Sequence, residues 1–180
     1  MKPFNLFDVT VCGGGHAGVE AALIAARLGC SVSLITLDVN AIGRMSCNPA
    51  IGGLAKGQIV REIDVLGGVM GVAADRAGIQ FKILNQSKGK SVWSPRAQVD
   101  KRKYEQFVSS LVRENEKISI IAGEVVDVDI RSGSLSGVVL RDGSTCLLYT
   151  SPSPRDSGAS RMPACACKKN GGGGGGGGGG

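Results

Sequence analysis

The stretch Phe7-Asp8-Val9-Thr10-Val11-Cys12-Gly13-Gly14-Gly15-His16-Ala17-Gly18-Val19-Glu20 restricts the fold more than any other part of the chain. Val9 and Val11, flanked by Phe7 and Cys12, make an apolar run of strand length with the β-branched residues that suit a covered strand. The run breaks on Gly13-x-Gly15-x-x-Gly18, the dinucleotide-binding spacing, set between a predicted strand and a predicted helix as that motif requires. Gly13 permits the tight turn, Gly15 lets the backbone approach a pyrophosphate, and Gly18 lets helix and strand pack closely. The free amides and positive dipole end of a helix starting near His16 then face an anion. The alternative is a glycine turn that makes only a tight strand-to-helix junction.

The residues after the turn fit a βαβ unit. Ala17, Ala21, Ala22, Ala25 and Ala26 give the helix a small-residue face for close approach to a sheet, and Gly29 supplies its C-terminal cap. Ser31 to Thr36 reads as the second strand. Asp38 follows at the distance where an acid meets a ribose hydroxyl, although Asp in a loop also serves turns.

The C-terminal end has a different character. Residues 171–180 are all glycine, and Cys146 to Asp156 reads as a translated transposase-type sequencing adapter. We therefore expect residues 1–145 to be the N-terminal part of a dinucleotide-binding domain, and residues 146–180 to be a non-native or disordered tail. Four cationic side chains against Asp156 in that tail leave +3 of the total +6 to residues 1–145. That is too weak on its own to indicate nucleic acid. Cys12, Cys30 and Cys47 remain as unpaired thiols, with no signal peptide and no long apolar stretch. The expectation is a cytoplasmic protein that does not enter the membrane.

After the second strand, residues 41–53 form a long glycine-punctuated loop, the kind usually kept for function. Helices are predicted over 54–66 and 69–77, an extended segment over 79–84, and a polar loop from Asn85 leading to Trp93, Pro95 and Arg96. Tyr104, Phe107, Val108, Leu111 and Val112 mark an amphipathic helix over 103–115. Strands are expected over 118–122, 124–131 and 137–141, with turns at Ser132-Gly133-Ser134 and Asp142-Gly143. A βαβ opening, a helical insertion and a β-meander make the expected fold class α/β. The layout is that of a Rossmann-like FAD-binding domain of the glutathione-reductase type, truncated before the chain returns to the parallel sheet.

Four blocks together resemble the MnmG (GidA) family of tRNA uridine 5-carboxymethylaminomethyl modification enzymes. They are Gly13 to Gly18, Met45-Ser46-Cys47-Asn48-Pro49-Ala50-Ile51-Gly52-Gly53, Ala77-Gly78-Ile79-Gln80-Phe81 and Arg96-Ala97-Gln98. The likeness spans about Phe7 to Gly143, and full members are several times longer. The resemblance implies an FAD enzyme that works with the GTPase MnmE on C5 of the wobble uridine of certain tRNAs, as a homodimer. NADH and methylene-tetrahydrofolate are the implied co-substrates. It also implies that Gly13, Gly14, Gly15, His16, Ala17 and Gly18 hold the FAD pyrophosphate and that the Val125 backbone meets the adenine side. Asp38 does not carry over from the family.

Cys47 is the candidate catalytic residue, since a thiolate can add to a pyrimidine ring; the alternative is a buried, inert loop cysteine. Cys12 and Cys30 read as packing residues. His16 is the only histidine, which removes Ser-His-Asp chemistry within this chain. Arg96, expected in a loop, is the candidate substrate-binding residue, and Trp93 is placed either to stack on a base or to pack. Lys88-Gly89-Lys90 and Lys101-Arg102-Lys103 read either as phosphate contacts or as solvated basic faces. Rival functions are a generic FAD-dependent oxidoreductase, a folate-dependent tRNA uridine methyltransferase, and a non-catalytic nucleotide-binding fragment. The 180-residue chain alone is expected to be inactive.

Overall fold

The computed structural model describes residues 6–148. Strands β1 (Leu6–Phe7) and β2 (Val9–Cys12) lead into α1 (His16–Arg27) and β3 (Val32–Thr36). The insertion holds β4 (Ala50–Gly52), α2 (Lys56–Val65), α3 (Met70–Arg76), β5 (Gly78–Leu84) and β6 (Ser94–Val99). It is followed by α4 (Lys101–Arg113), β7 (Ile118–Ala122), β8 (Val125–Arg131), β9 (Ser134–Leu140) and β10 (Thr145–Leu148).

Three sheets result. β2, β3 and β7 form the parallel sheet in the order β2-β3-β7, with Cys12 opposite Ile35 and Thr36 opposite Ala122. All five residues of β3 are buried, the polar Ser33 and Thr36 as well as Val32, Leu34 and Ile35, as in a parallel strand covered on both faces. α1 buries Val19, Ala22, Leu23 and Ala26 in the same cluster as Val32, Leu34 and the Tyr104, Val108 and Val112 face of α4. Of the alanine face predicted for α1, Ala22 and Ala26 are buried and Ala25 packs partly, whereas Ala17 and Ala21 are exposed; Gly29 closes the helix at φ +99°. β8, β9 and β10 make the meander, with β1 parallel to β10. The boundary expected after residue 145 falls inside β10, where Cys146 is buried; residues 149–180 lie outside the described residues.

Two details differ from the expectation. The first strand is interrupted at Asp8, whose carboxylate accepts the Ser31 amide and hydroxyl, both at 2.7 Å. This pins the entry to β3 and sends Leu6–Phe7 to a different sheet. The insertion is also not purely helical: β4, β6 and β5 form a third, antiparallel sheet with β6 in the middle. Pro95 concealed that central strand, because proline is expected only at sheet edges and bulges. Its carbonyl nonetheless accepts the Gly53 amide at 2.8 Å, and Ala97 and Val99 are buried.

Candidate functional site

The C-terminal ends of β2, β3 and β7 bring three loops to one edge of the parallel sheet, the position where open α/β sheets take ligands. Gly13 leaves β2 at φ +108°, with its amide donating to the Ile35 carbonyl at 2.7 Å. The Gly43 amide donates to the Gly14 carbonyl at 2.9 Å, and the Gly123 amide to the Thr36 carbonyl at 2.9 Å. Gly14 is wedged: a Cβ there would lie 3.1 Å from Thr36 Oγ1. Gly18 is wedged harder, since a Cβ would overlap the Gly13 carbonyl oxygen. Gly15 is the opposite case, with nothing within 4 Å of an added Cβ. Packing therefore accounts for Gly14 and Gly18, whereas Gly15 faces open space.

Helix α1 begins here without a side-chain cap, and its first backbone bond runs from Val19 N–H to the Gly15 carbonyl at 2.9 Å. The amides of His16, Ala17 and Gly18 precede that bond. α4 is the contrast: Asp100 caps it by accepting from the Arg102 and Lys103 amides at 2.9 and 3.2 Å. The α1 terminus presents donors and positive dipole where α4 has satisfied its own.

His16 is half-buried, its ring edge-on to Tyr104 with centroids 5.6 Å apart. Burial pushes its pKa down, partly opposed by the Glu20 carboxylate. Burial likewise raises the Tyr104 phenol to about 12, with Glu20 adding to the effect. Glu20 itself accepts the Val69 and Met70 amides at 3.0 and 2.7 Å, so it serves the start of α3. His16 lines a cavity of about 400 Å³ together with Ser46, Cys47, Asn48 and Lys56. The glycine turn and the Met45–Gly53 loop thus meet around one hollow. Cys47 is exposed, which removes the reading of a buried loop cysteine. Its carbonyl accepts Lys101 Nζ at 2.5 Å, tying the loop to the start of α4.

The other sequence-derived candidates are scattered. Asp38 sits just beyond β3, where its carboxylate accepts the Asn40 amide at 2.8 Å and pairs with Arg44 at 3.6 Å. Val125 opens β8 opposite Leu140 and packs against the cluster of Phe7, Ile35 and Val138. Arg96 is not in a loop: it lies in β6 between Gly52 and Lys82 and lines a different cavity, of about 570 Å³. Cys12, expected to pack, is exposed at the end of β2, while Cys30 packs partly against the core. Ser46, Asn48 and Lys56 were not singled out because only the fold brings them to His16, and Lys101, read as a phosphate contact or part of a solvated face, holds the Cys47 carbonyl. Among the described residues no group of three or more His, Cys, Asp or Glu could hold a metal ion.

Comparison with known families decides the assignment. The family profile described as "Glucose inhibited division protein A" matches residues 8–148. The chain belongs to the GidA family. The MnmG tRNA uridine 5-carboxymethylaminomethyl modification enzyme of Aquifex aeolicus is 54% identical over 132 residues, 73% of this chain and 21% of that protein. The MnmG of Porphyromonas gingivalis is 52% identical over 136 residues, 76% of this chain and 22% of that protein. The chain therefore spans about a fifth of the length of these GidA relatives. The crystal structure of Aquifex aeolicus GidA, form II, superposes with a TM-score of 0.77 at 49% identity, over 82% of this chain and 24% of that one. PqsL of Pseudomonas aeruginosa, a probable FAD-dependent monooxygenase, shares the fold alone, at 15% identity and TM-score 0.52 over 80% of this chain and 41% of that one. The fold class is the Rossmann-like, glutathione-reductase type expected for a GidA protein.

Proposed function

We propose that the whole protein is an FAD-dependent enzyme that modifies C5 of wobble uridine in tRNA, adding a carboxymethylaminomethyl or aminomethyl group. The open, uncapped glycine turn carries the flavin half of this reading. The MnmG relatives, named as tRNA uridine modification enzymes, carry the RNA half. We further propose the GTPase MnmE as partner, NADH and methylene-tetrahydrofolate as co-substrates, and a cytoplasmic homodimer. No helix of the described residues is long and apolar enough to cross a membrane.

The residues present fit the cofactor. Gly15 leaves room for a diphosphate against the main chain, and the His16, Ala17 and Gly18 amides supply its donors. FAD, when bound, supplies two-electron redox chemistry. Burial keeps the His16 ring neutral near pH 7, so it offers a hydrogen bond there without adding a positive charge. In this reading Cys47 presents a thiol to the same hollow, held by the Lys101 contact to its carbonyl. Val125 is assigned to the adenine side, Asp38 to the ribose side and Arg96 to substrate. The 180-residue chain alone is proposed to be inactive and to hold flavin weakly.

The test is complementation. The full-length gene is placed in a strain lacking its own modification enzyme, and tRNA nucleosides are analysed by mass spectrometry. Return of the carboxymethylaminomethyl or aminomethyl uridine is expected. Appearance of a methylated uridine instead would favour the folate-dependent methyltransferase, and no change in uridines would leave only a general flavoprotein.

A further inference from the structure

The segment from β5 through β6, residues 78–99, carries Lys82, Lys88, Lys90 and Arg96 and no Asp or Glu. Residues 1–145 have a net charge of +3, so everything in that span outside the hairpin sums to −1. The entire positive excess is gathered on one hairpin. The strand register places two of its cations face to face, with Lys82 the partner of Arg96 and Gln80 the partner of Gln98. Like charges directly opposite across a ladder destabilise a sheet. Among the described residues there are four ion pairs, and none uses Lys82 or Arg96; Asp64 and Asp75 line the larger cavity that these two also reach, without pairing to them.

Gln80, Lys82, Arg96 and Gln98 line one recess of about 230 Å³ with Leu84, and no carboxylate lines it. The backbone beneath is rigid, because β6 is held by β5 on one edge and by β4 on the other, where Gly52 faces Arg96. Two cationic donors and two side-chain amides on a fixed face match the oxygens of a phosphate, with the arginine fork adding direction. We propose that this face of the β5–β6 hairpin seats backbone phosphates of the RNA substrate, with Lys88 and Lys90 extending the track along the turn. This rests on the tRNA reading of the whole protein. It narrows Arg96 from an unspecified substrate contact to the phosphate backbone.

The full-length protein is titrated with tRNA by fluorescence anisotropy across a potassium chloride series, beside the Lys82→Gln/Arg96→Gln double variant. Two lost phosphate contacts reduce the slope of log affinity against log salt by about 1.4 to 1.8 and weaken binding about tenfold or more at ~0.1 M salt. Arg131→Gln/Arg141→Gln, which removes the same charge elsewhere, is expected to keep the wild-type slope. Lys82→Arg/Arg96→Lys, which keeps both charges, is expected to retain most of it and guards against simple misfolding. An unchanged slope in the Gln variant overturns the proposal, as does an equal loss in the Arg131/Arg141 control. Displacement of tRNA by inorganic phosphate at constant ionic strength, beyond what chloride achieves, also overturns it, since the recess would then prefer a free anion. Visible flavin absorbance, recorded on every variant, separates the two ideas. A wild-type protein that binds tRNA but carries no flavin counts against the cofactor reading, and retained flavin with an unchanged slope in the Gln variant counts against this one.

Discussion

Gly15 and Gly18 stand three residues apart and answer to different constraints, so their alanine variants should part company. Gly18→Ala forces a Cβ into the Gly13 carbonyl and is expected to destabilise the fold by roughly 1–3 kcal/mol, read from urea midpoints. Gly15→Ala meets no protein atom within 4 Å and sits at an ordinary φ of −75°, so its midpoint should match wild type while flavin affinity falls. His16 gives a pH signature. Its folded-state pKa is held below the usual 6.5 by burial, so the unfolded chain takes the proton first as pH falls. The stability it contributes is full above about pH 6.5 and is lost below it. Between about pH 7.5 and about pH 5.5 the wild-type urea midpoint should drop further than that of His16→Asn. At this scale the glycine turn was legible because its spacing is local in the sequence: Gly13 takes a positive φ, Gly14 and Gly18 are wedged, and Gly15 leaves open space. Arg96 was misplaced because Pro95 reads as a loop signal and hides a central strand. The roles of Lys101 and Glu20 were invisible, since each acts across about fifty residues of chain.

Among the elements, the helices were read best. The Tyr104, Val108 and Val112 stripe of α4 is buried as its spacing requires, and Asp100 provides the cap. Asp100→Ala is expected to cost about 1 kcal/mol without touching flavin or RNA. Glu20 acts for α3 from another helix: its carboxylate takes the Val69 and Met70 amides, which no residue of α3 caps. Glu20→Ala should cost roughly 1.5–3 kcal/mol, as for a hydrogen bond to a charged group, and should loosen α3 in hydrogen exchange before the parallel sheet. The short strand β4 and the central β6 escaped detection because three residues show no period, and because β6 depends on partners distant in sequence. Sheets are specified by pairing, and pairing is non-local.

On the scale of the molecule, one edge of a three-stranded parallel sheet organises everything else. It collects the glycine turn, the Asp38 loop and the Gly123 junction, while the insertion brings Cys47 and Lys56 against His16. The class of fold was legible because strand, turn and helix follow one another locally, and the Met45–Gly53 block added the family. The cavity itself was not, because its walls come from stretches that meet only after folding. The measurement that tests the account most directly is the visible flavin absorbance of the purified full-length protein beside Gly15→Val, with melting temperatures recorded for both. The account predicts flavin bound to the wild type and a folded but colourless variant, because the valine side chain fills the open space where the diphosphate lies. Full flavin occupancy in a folded Gly15→Val protein would contradict it.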